Sequence, residues 1–387
     1  MSSGMKEVLT LVKQACEKAR PLDDQAYLGQ EFNSKVLKAF RERGLMGMHV
    51  SAKYNGPGLN AREYFECIKA IGEVGTSLRT LFSVHSSIAQ PAIEKWGSEE
   101  QKRKYLPKSC TGEITLAFAL TEPLAGSDPS SLKTTYELKG GKYVLNGEKA
   151  WISHGLLADS IITFARNKKN GKISSFIVDR KSKGYSTKEI KHKLGLHSID
   201  TARIYFKDCI VPKENLLGPE GKGLTVAFSS LMNGRLSVAA GCVGVMRDCL
   251  REAVSRAKTR VQHGKEIGKH QLIQRHIALI STNLSAGEAL LDKAITKKME
   301  LEQNPNEKLR TETDALIARA KYYCTNAALE AANSAVQVWG AEGYSFENRV
   351  ARHLADIRAT TIYEGTNEVM EQKIALAELG REFYAFK

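Results

Sequence analysis

The chain has 387 residues, of which 42% are hydrophobic and 26% charged, with a formal net charge of +14. That length supports two or three domains with a sizeable buried core, and no apolar run approaches the roughly 20 residues that span a bilayer. The lysines are spread along the chain without a basic block, which argues against nucleic acid and for phosphate-bearing ligands or an acidic protein partner.

Residues 1–20 mix acidic and basic side chains around a short apolar stretch, Val8 to Val12. That is too charged for a secretory signal and too poor in Arg and Ser for a transit peptide, so it reads as the first helix. Tyr64, Phe65, Ile68, Ile71 and Val74 fall at helical spacing within Ala61 to Val74. From residue 114 the period changes. Ile114 to Leu120, Lys142 to Asn146, Ser160 to Ala165, Ile173 to Val178 and Ala202 to Phe206 are short β-branched and aromatic runs between Gly and Asn turns. They predict a small antiparallel barrel or sandwich. From 221 the pattern is helical again, over Leu236 to Ala257, Leu272 to Leu301 and Asp314 to Val338, with a break at Asn304-Pro305-Asn306. The expectation is an α+β chain with helical residues 1–113, a β-domain at 114–220 and helical residues 221–387.

This order is not a βαβ alternation, and neither GxGxxG after a strand nor GxxxxGK[ST] occurs. Gly218 to Gly223 reads as a loop, so a nucleotide cofactor would be held without a Rossmann unit. Seven cysteines form no CxxC, and their odd number fits reduced thiols in a cytoplasmic protein.

Two segments resist explanation as packing. Leu120-Thr-Glu-Pro-Leu-Ala-Gly-Ser-Asp128 closes a strand with hydroxyls and turn residues, a loop able to offer N–H groups to an anion. In Ile362-Tyr-Glu-Gly-Thr-Asn-Glu368 an acid, Glu364, lies between aromatic and apolar neighbours and Gly365. Apolar surroundings raise a carboxyl pKa and make a better general base, and Gly365 would let the backbone approach a ligand.

With these two segments stand Tyr54 to Gly58, Gly97 to Lys102, Tyr105 to Pro107, Leu145 to Lys149, Trp151 to Ser153, Lys193 to Gly195, Val211 to Asn215, Arg235 and Ala335 to Val338. In this order, over nearly the whole chain, they resemble the acyl-CoA dehydrogenase family. The resemblance implies a helical N-terminal domain, a middle β-domain and a C-terminal four-helix bundle, with FAD as cofactor and no metal. It implies that Glu364 takes the proton α to a thioester carbonyl while hydride passes to the flavin. The carbonyl oxygen would be held by the Glu364 N–H and a ribityl hydroxyl, with the Tyr363 ring helping to exclude water. Some branches place the base just before the arginine, which here is Gly234 and cannot serve.

For the flavin, the resemblance implies that Leu120 and Thr121 touch the ring, Ser127 the pyrophosphate, and Trp151, Ile152 and Ser153 the ring edge near N5, with His154 close by. Thr366 and Glu368 would hold the phosphate and adenosine portions. Arg260, Gln271, Gln337 and Gly340, with His263 in place of the usual Phe, would reach FAD across a subunit boundary. A homodimer or homotetramer follows.

Arg79 interrupts an apolar helix face in Ser77 to Ser83. It either snorkels to water or stands at the acyl end of the pocket. Arg79 and Ser83, together with Ser127 to Ser131, are similar to glutaryl-CoA dehydrogenases, where such a pair meets a distal carboxylate. Ser77 to Thr80, Trp151 to Gly155 and Ala240 to Gly244 are closer to a branch acting on acyl carrier proteins in antibiotic biosynthesis. The expected substrate is a small hydroxyacyl or aminoacyl thioester on a carrier protein, or else a short-chain or glutaryl-type CoA ester. Arg79, Ser83, Arg235, Tyr363 and Gly365 are the expected substrate contacts. An electron-accepting flavoprotein or another acceptor would reoxidise the enzyme. A flavin monooxygenase on the same fold is the alternative, against which Glu364 argues.

Overall fold

The computed structural model describes residues 3–383. Met1 and Ser2, assigned above to the first helix, and the last four residues of the 221–387 segment lie outside the described residues.

The N-terminal part holds α1 (Ser3–Gly29), α2 (Lys35–Arg41), α3 (Ala61–Val74), α4 (Thr76–Phe82), α5 (Gln90–Trp96) and α6 (Glu99–Thr111). A capping box starts α3: the Asn60 side chain accepts from Glu63 N at 3.1 Å, and the Glu63 carboxylate accepts from Asn60 N at 3.2 Å. The five apolar positions named for this helix are all buried. Between α4 and α5 the turns widen into a π-helical stretch, Ser83–Ala89, a geometry that recurs beside functional sites.

The middle part is one eight-stranded sheet. Its strands are β1 (Leu116–Ala119), β2 (Thr135–Lys139), β3 (Lys142–Ser153), β4 (Ser160–Asn167), β5 (Ile173–Asp179), β6 (Tyr185–Glu189), β7 (Thr201–Pro212) and β8 (Leu216–Leu217). They run in the order β6-β7-β3-β2-β4-β5-β8, with β1 on β4. Most pairs are antiparallel, but β1–β4 and β2–β4 are parallel, which corrects the expectation of a wholly antiparallel sheet. Both edges of β3 are taken, by β2 and β7, so β4 cannot form a hairpin with it and lies along β2 and β1 instead. Register shifts at Leu145/Gly147 and Lys149/Ile152 break the alternation of β3. Its second half is therefore invisible to a period-two reading.

The C-terminal part holds α7 (Gly223–Thr259), a hairpin of β9 (Val261–Gln262) and β10 (Lys265–Glu266), then α8 (Gln271–Gln303), α9 (Glu307–Trp339), α10 (Arg349–Ile357) and α11 (Asn367–Leu379). Helices α7, α8, α9 and α11 pack into a bundle, and α7 also packs on α3. By length and composition α7 could cross a bilayer, contrary to the sequence reading, but 78% of its most apolar stretch is buried inside the protein. The three parts meet at Asp356 of α10. Its carboxylate accepts from Tyr27 Oη at 2.9 Å and from Leu196 N at 2.6 Å.

Candidate active site

Glu364 stands on the turn between α10 and α11, at φ 56°, followed by Gly365 at φ 91°. Two successive left-handed residues, the first not glycine, need outside support. It comes from two buried cations. Arg235 of α7 donates through Nε to Glu364 O at 3.0 Å and through Nη1 to Asp314 Oδ1 at 3.2 Å. Lys321 of α9 donates through Nζ to Gly365 O at 2.9 Å and to Asn367 Oδ1 at 2.8 Å. Arg235, expected as a substrate contact, thus has its guanidinium engaged behind the carboxylate.

The carboxylate of Glu364 accepts from Ser83 Oγ through Oε1 at 3.0 Å, while Oε2 is buried without a partner among the described residues. A Cβ added to Gly234 would lie 1.9 Å from that Oε2. The glycine that cannot act as a base is therefore what makes room for one. Burial pushes the Glu364 carboxyl above the usual range; Arg79, the Ser83 hydrogen bond, Arg235 and Lys321 pull it back.

Arg79 does not snorkel: it is 1% exposed. Its Nη2 donates to Tyr363 Oη, its guanidinium lies 5.5 Å from the Tyr363 ring centre, and its Nη1 is buried without a partner. Gly241 of α7 leaves the space, since a Cβ there would lie 2.6 Å from Arg79 Cδ. No carboxylate of the described residues pairs with Arg79. Burial pushes the Tyr363 phenol up to about 12, with Arg79 opposing, so it stays neutral. A carboxylate with one unpartnered oxygen and a cation with one unpartnered nitrogen thus stand near enough for Arg79 to act on the Glu364 charge. Such a pair can remove a proton and hold a polar group.

The Leu120 to Asp128 loop is fastened to β3 by a buried ion pair. Lys149 Nζ lies 2.8 Å from Glu122 Oε1 and donates to Leu120 O at 3.2 Å; Glu122 also accepts from Thr134 N at 3.0 Å. Ala150 N donates to Thr121 O at 3.0 Å. This sets Leu120 and Thr121 beside Trp151, which a left-handed φ of 60° turns outward, leaving it 60% exposed. Ile152 instead packs into the core of the sheet. His154, expected near the flavin edge, is buried between Asp200 Oδ1 and Thr115 Oγ1, each at 3.0 Å.

An uncovered indole beside half-buried Leu120, Thr121 and Ser153, with an open polar loop at Ser127, fits a large flat cofactor with an anionic tail. Thr366 caps α11 by accepting from Val369 N at 3.3 Å, and Glu368 is exposed in its first turn. Arg260, His263, Gln271, Gln337 and Gly340 are all exposed. They gather at one end of the bundle, where Arg256 joins α7 to Glu342 at 3.1 Å and stacks on Trp339.

Sequence reasoning missed Lys321, Asp314 and the Lys149–Glu122 pair. Lys321 had a signal: it falls at helical spacing among Ile317, Cys324 and Ala328, a lysine on an apolar stripe.

Helical ends around a central sheet, with a buried carboxylate and an exposed indole beside a polar loop, are compatible with a flavin-dependent oxidoreductase. The chain matches the descriptions "Acyl-CoA dehydrogenase, N-terminal domain" over 5–113, "middle domain" over 117–209 and "C-terminal domain" over 221–379. It is 38% identical to an "Acyl-CoA dehydrogenase" of Bacillus subtilis, over 90% of this chain and 91% of that one. A glutaryl-coenzyme A dehydrogenase solved with glutaryl-CoA superposes with a TM-score of 0.91 at 32% identity, over 98% of this chain and 96% of the other. The prolyl acyl carrier protein oxidase AnaB does so with 0.87 at 28%, over 97% and 98%. The chain belongs to the acyl-CoA dehydrogenase family and is an FAD-dependent oxidoreductase.

Proposed function

We propose that this protein dehydrogenates a small acyl thioester with a polar acyl end, using Glu364 as the base. The observation that carries this reading is the pair of unpartnered buried atoms, Glu364 Oε2 and Arg79 Nη1. An unsatisfied buried polar atom costs about 1–3 kcal/mol and more if charged, so two on residues that act on each other electrostatically support a ligand that satisfies both.

In this reading Glu364 Oε2 takes the α-proton. Burial makes the carboxylate a stronger base, and the surrounding cations offset part of that rise. The Glu364 N–H finds no acceptor among the described residues and donates to the thioester carbonyl oxygen. Arg79 Nη1 holds the polar acyl end, and the Tyr363 ring shields the reacting carbon from water. Leu120, Thr121, Ser127, Trp151 and Ser153 hold FAD, which when bound supplies the acceptor for hydride. The second subunit contributes Arg260, His263, Gln271, Gln337 and Gly340.

A 370 Å³ cavity lined by Lys95, Ser230, Asn233, Lys298 and Arg310, among others, offers the way in. Ser230 and Asn233 of its lining lie on α7 within a turn of Gly234, and Lys95 and Arg310 suit a phosphopantetheine phosphate, while Lys298 is paired with Glu302. We favour a hydroxyacyl or aminoacyl group on an acyl carrier protein of secondary metabolism, supported by the likeness to AnaB and by the positive charge, which suits an acidic carrier. A glutaryl-type or short-chain CoA ester is the second reading, supported by Arg79 and the likeness to the glutaryl-CoA complex. An electron-transferring flavoprotein as acceptor belongs to the same proposal, as does a cytoplasmic setting, which suits the unpaired buried cysteines.

The test is anaerobic mixing with a panel of thioesters on CoA and on carrier protein, following flavin bleaching. Hydroxyacyl or aminoacyl carrier thioesters should bleach fastest; bleaching by butyryl-CoA alone would overturn the polar-acyl reading.

A further inference from the structure

Lys321 is 0% exposed, yet no carboxylate of the described residues forms a salt bridge with it. Burying an ammonium costs several kcal/mol even after relaxation, so a lysine here without an ion pair calls for a reason. Its two acceptors identify what it supports. One is the carbonyl of Gly365, directly after the base; the other is the Asn367 amide, itself fixed by Thr325 and Asn326 at 3.0 Å each. Packing alone does not demand a charge at this place. A glutamine could make similar hydrogen bonds, and a methionine could fill the stripe.

We propose that Lys321 is a positioning residue for Glu364: it fixes the left-handed turn on which the carboxylate stands and supplies part of the positive charge that favours the carboxylate form. The inference rests on Glu364 being the base. Three cations act on this carboxylate, Arg79, Arg235 and Lys321. Arg79 borders the acyl space and Arg235 grips the Glu364 carbonyl, whereas Lys321 braces the turn from behind, on α9.

The groups facing Lys321 are Cys242 and Arg235 of α7, Glu364 of the turn and Glu368 of α11. Burial lowers the ammonium to about 8, with Cys242, Glu364 and Glu368 opposing and Arg235 assisting. The charge is therefore present below pH ~8, where Glu364 must lose its own proton to work, and fades above it.

The experiment uses Lys321→Gln, which keeps hydrogen-bonding capacity without the charge, and Lys321→Met, which removes both. FAD absorbance and melting temperature show that each variant is folded. The readout needs no substrate: infrared difference spectra across pH follow the carboxyl C=O band that Glu364→Gln removes. In Lys321→Gln that band should persist to a pH about one unit higher than in the native enzyme, the size of shift one nearby charge makes. Lys321→Met should shift the band in the same direction, and serves if Lys321→Gln does not fold; Asn367→Ala removes one acceptor and keeps the charge, so it should leave the titration in place. An unchanged titration in folded Lys321→Gln would overturn the proposal. Wild-type flavin bleaching by the panel thioesters in Glu364→Gln would instead overturn the base, so the two failures are distinguishable.

Discussion

At the scale of single residues, the site depends on what is missing as much as on what is present. Gly234 and Gly241 lack side chains where Glu364 Oε2 and the Arg79 stem approach α7. Gly234→Ala should therefore push the carboxylate off its position while leaving the helix intact. We expect FAD content to hold, and thioester-driven flavin reduction to fall at least about tenfold, because a misplacement of about 1 Å can cost 10²-fold. Stopped-flow absorbance checks this. Arg79→Ala should depress reduction by polar or carboxylated acyl thioesters far more than by butyryl thioesters, since only the former need Nη1. Equal losses in stopped-flow traces with both classes would remove Arg79 from the acyl space. The carboxylate was legible in the sequence because a Tyr-Glu-Gly string has little reason to exist in a packed turn. The glycine's role was not, because an empty volume has no signature until the opposing chain is in place.

Among the elements, two polar clamps hold the site's walls. Lys149 and Glu122 tie the Leu120 to Asp128 loop to β3. Removing one partner of a buried pair leaves the other uncompensated, so Lys149→Met should cost about 3–5 kcal/mol and weaken FAD retention, measurable by urea unfolding and flavin absorbance. His85 ties the π-helical stretch that carries Ser83 to β1. Leu116 N donates to its Nδ1 at 3.1 Å, leaving the ring proton on Nε2, toward Ser109 O at 3.2 Å.

Burial lowers the His85 pKa from 6.5 to about 4. Above pH 6.5 both the folded and unfolded ring are neutral, and the full stability is present. As pH falls from 6.5 toward 4 the unfolded chain binds a proton that the native state refuses. Stability should then drop by about 1.4 kcal/mol per pH unit from this group, a slope that unfolding of His85→Gln should lack. The sequence showed the elements where periodicity was long, as in α3 and α7, and the five strand cores. It hid β2, β6 and the second half of β3. Those two strands are short and half-exposed, and the bulges in β3 destroy the alternation that marks a strand.

At the scale of the whole molecule, the exposed Arg260, His263, Gln271, Gln337 and Gly340 frame a shared-site prediction. Glu364→Gln and Arg260→Glu, each inactive as a pure protein, should restore activity when their subunits are mixed. Each mixed dimer then contains one site with a native base and a native neighbouring arginine. Turnover assays on remixed, separately tagged subunits measure this, and the absence of recovery would mean that Arg260 does not serve a neighbour's site. The family and fold were legible because many short motifs stand in order along the chain. The substrate was not, because it depends on a few side chains around Arg79 and on how the carrier meets the surface.

The most direct test of the whole account is Glu364→Gln mixed anaerobically with the thioester that bleaches the native enzyme fastest. The variant should purify yellow, retain FAD, bind the thioester and show flavin reduction slowed by about 10²- to 10⁴-fold, the usual contribution of a positioned base. Bleaching at the native rate would contradict the account.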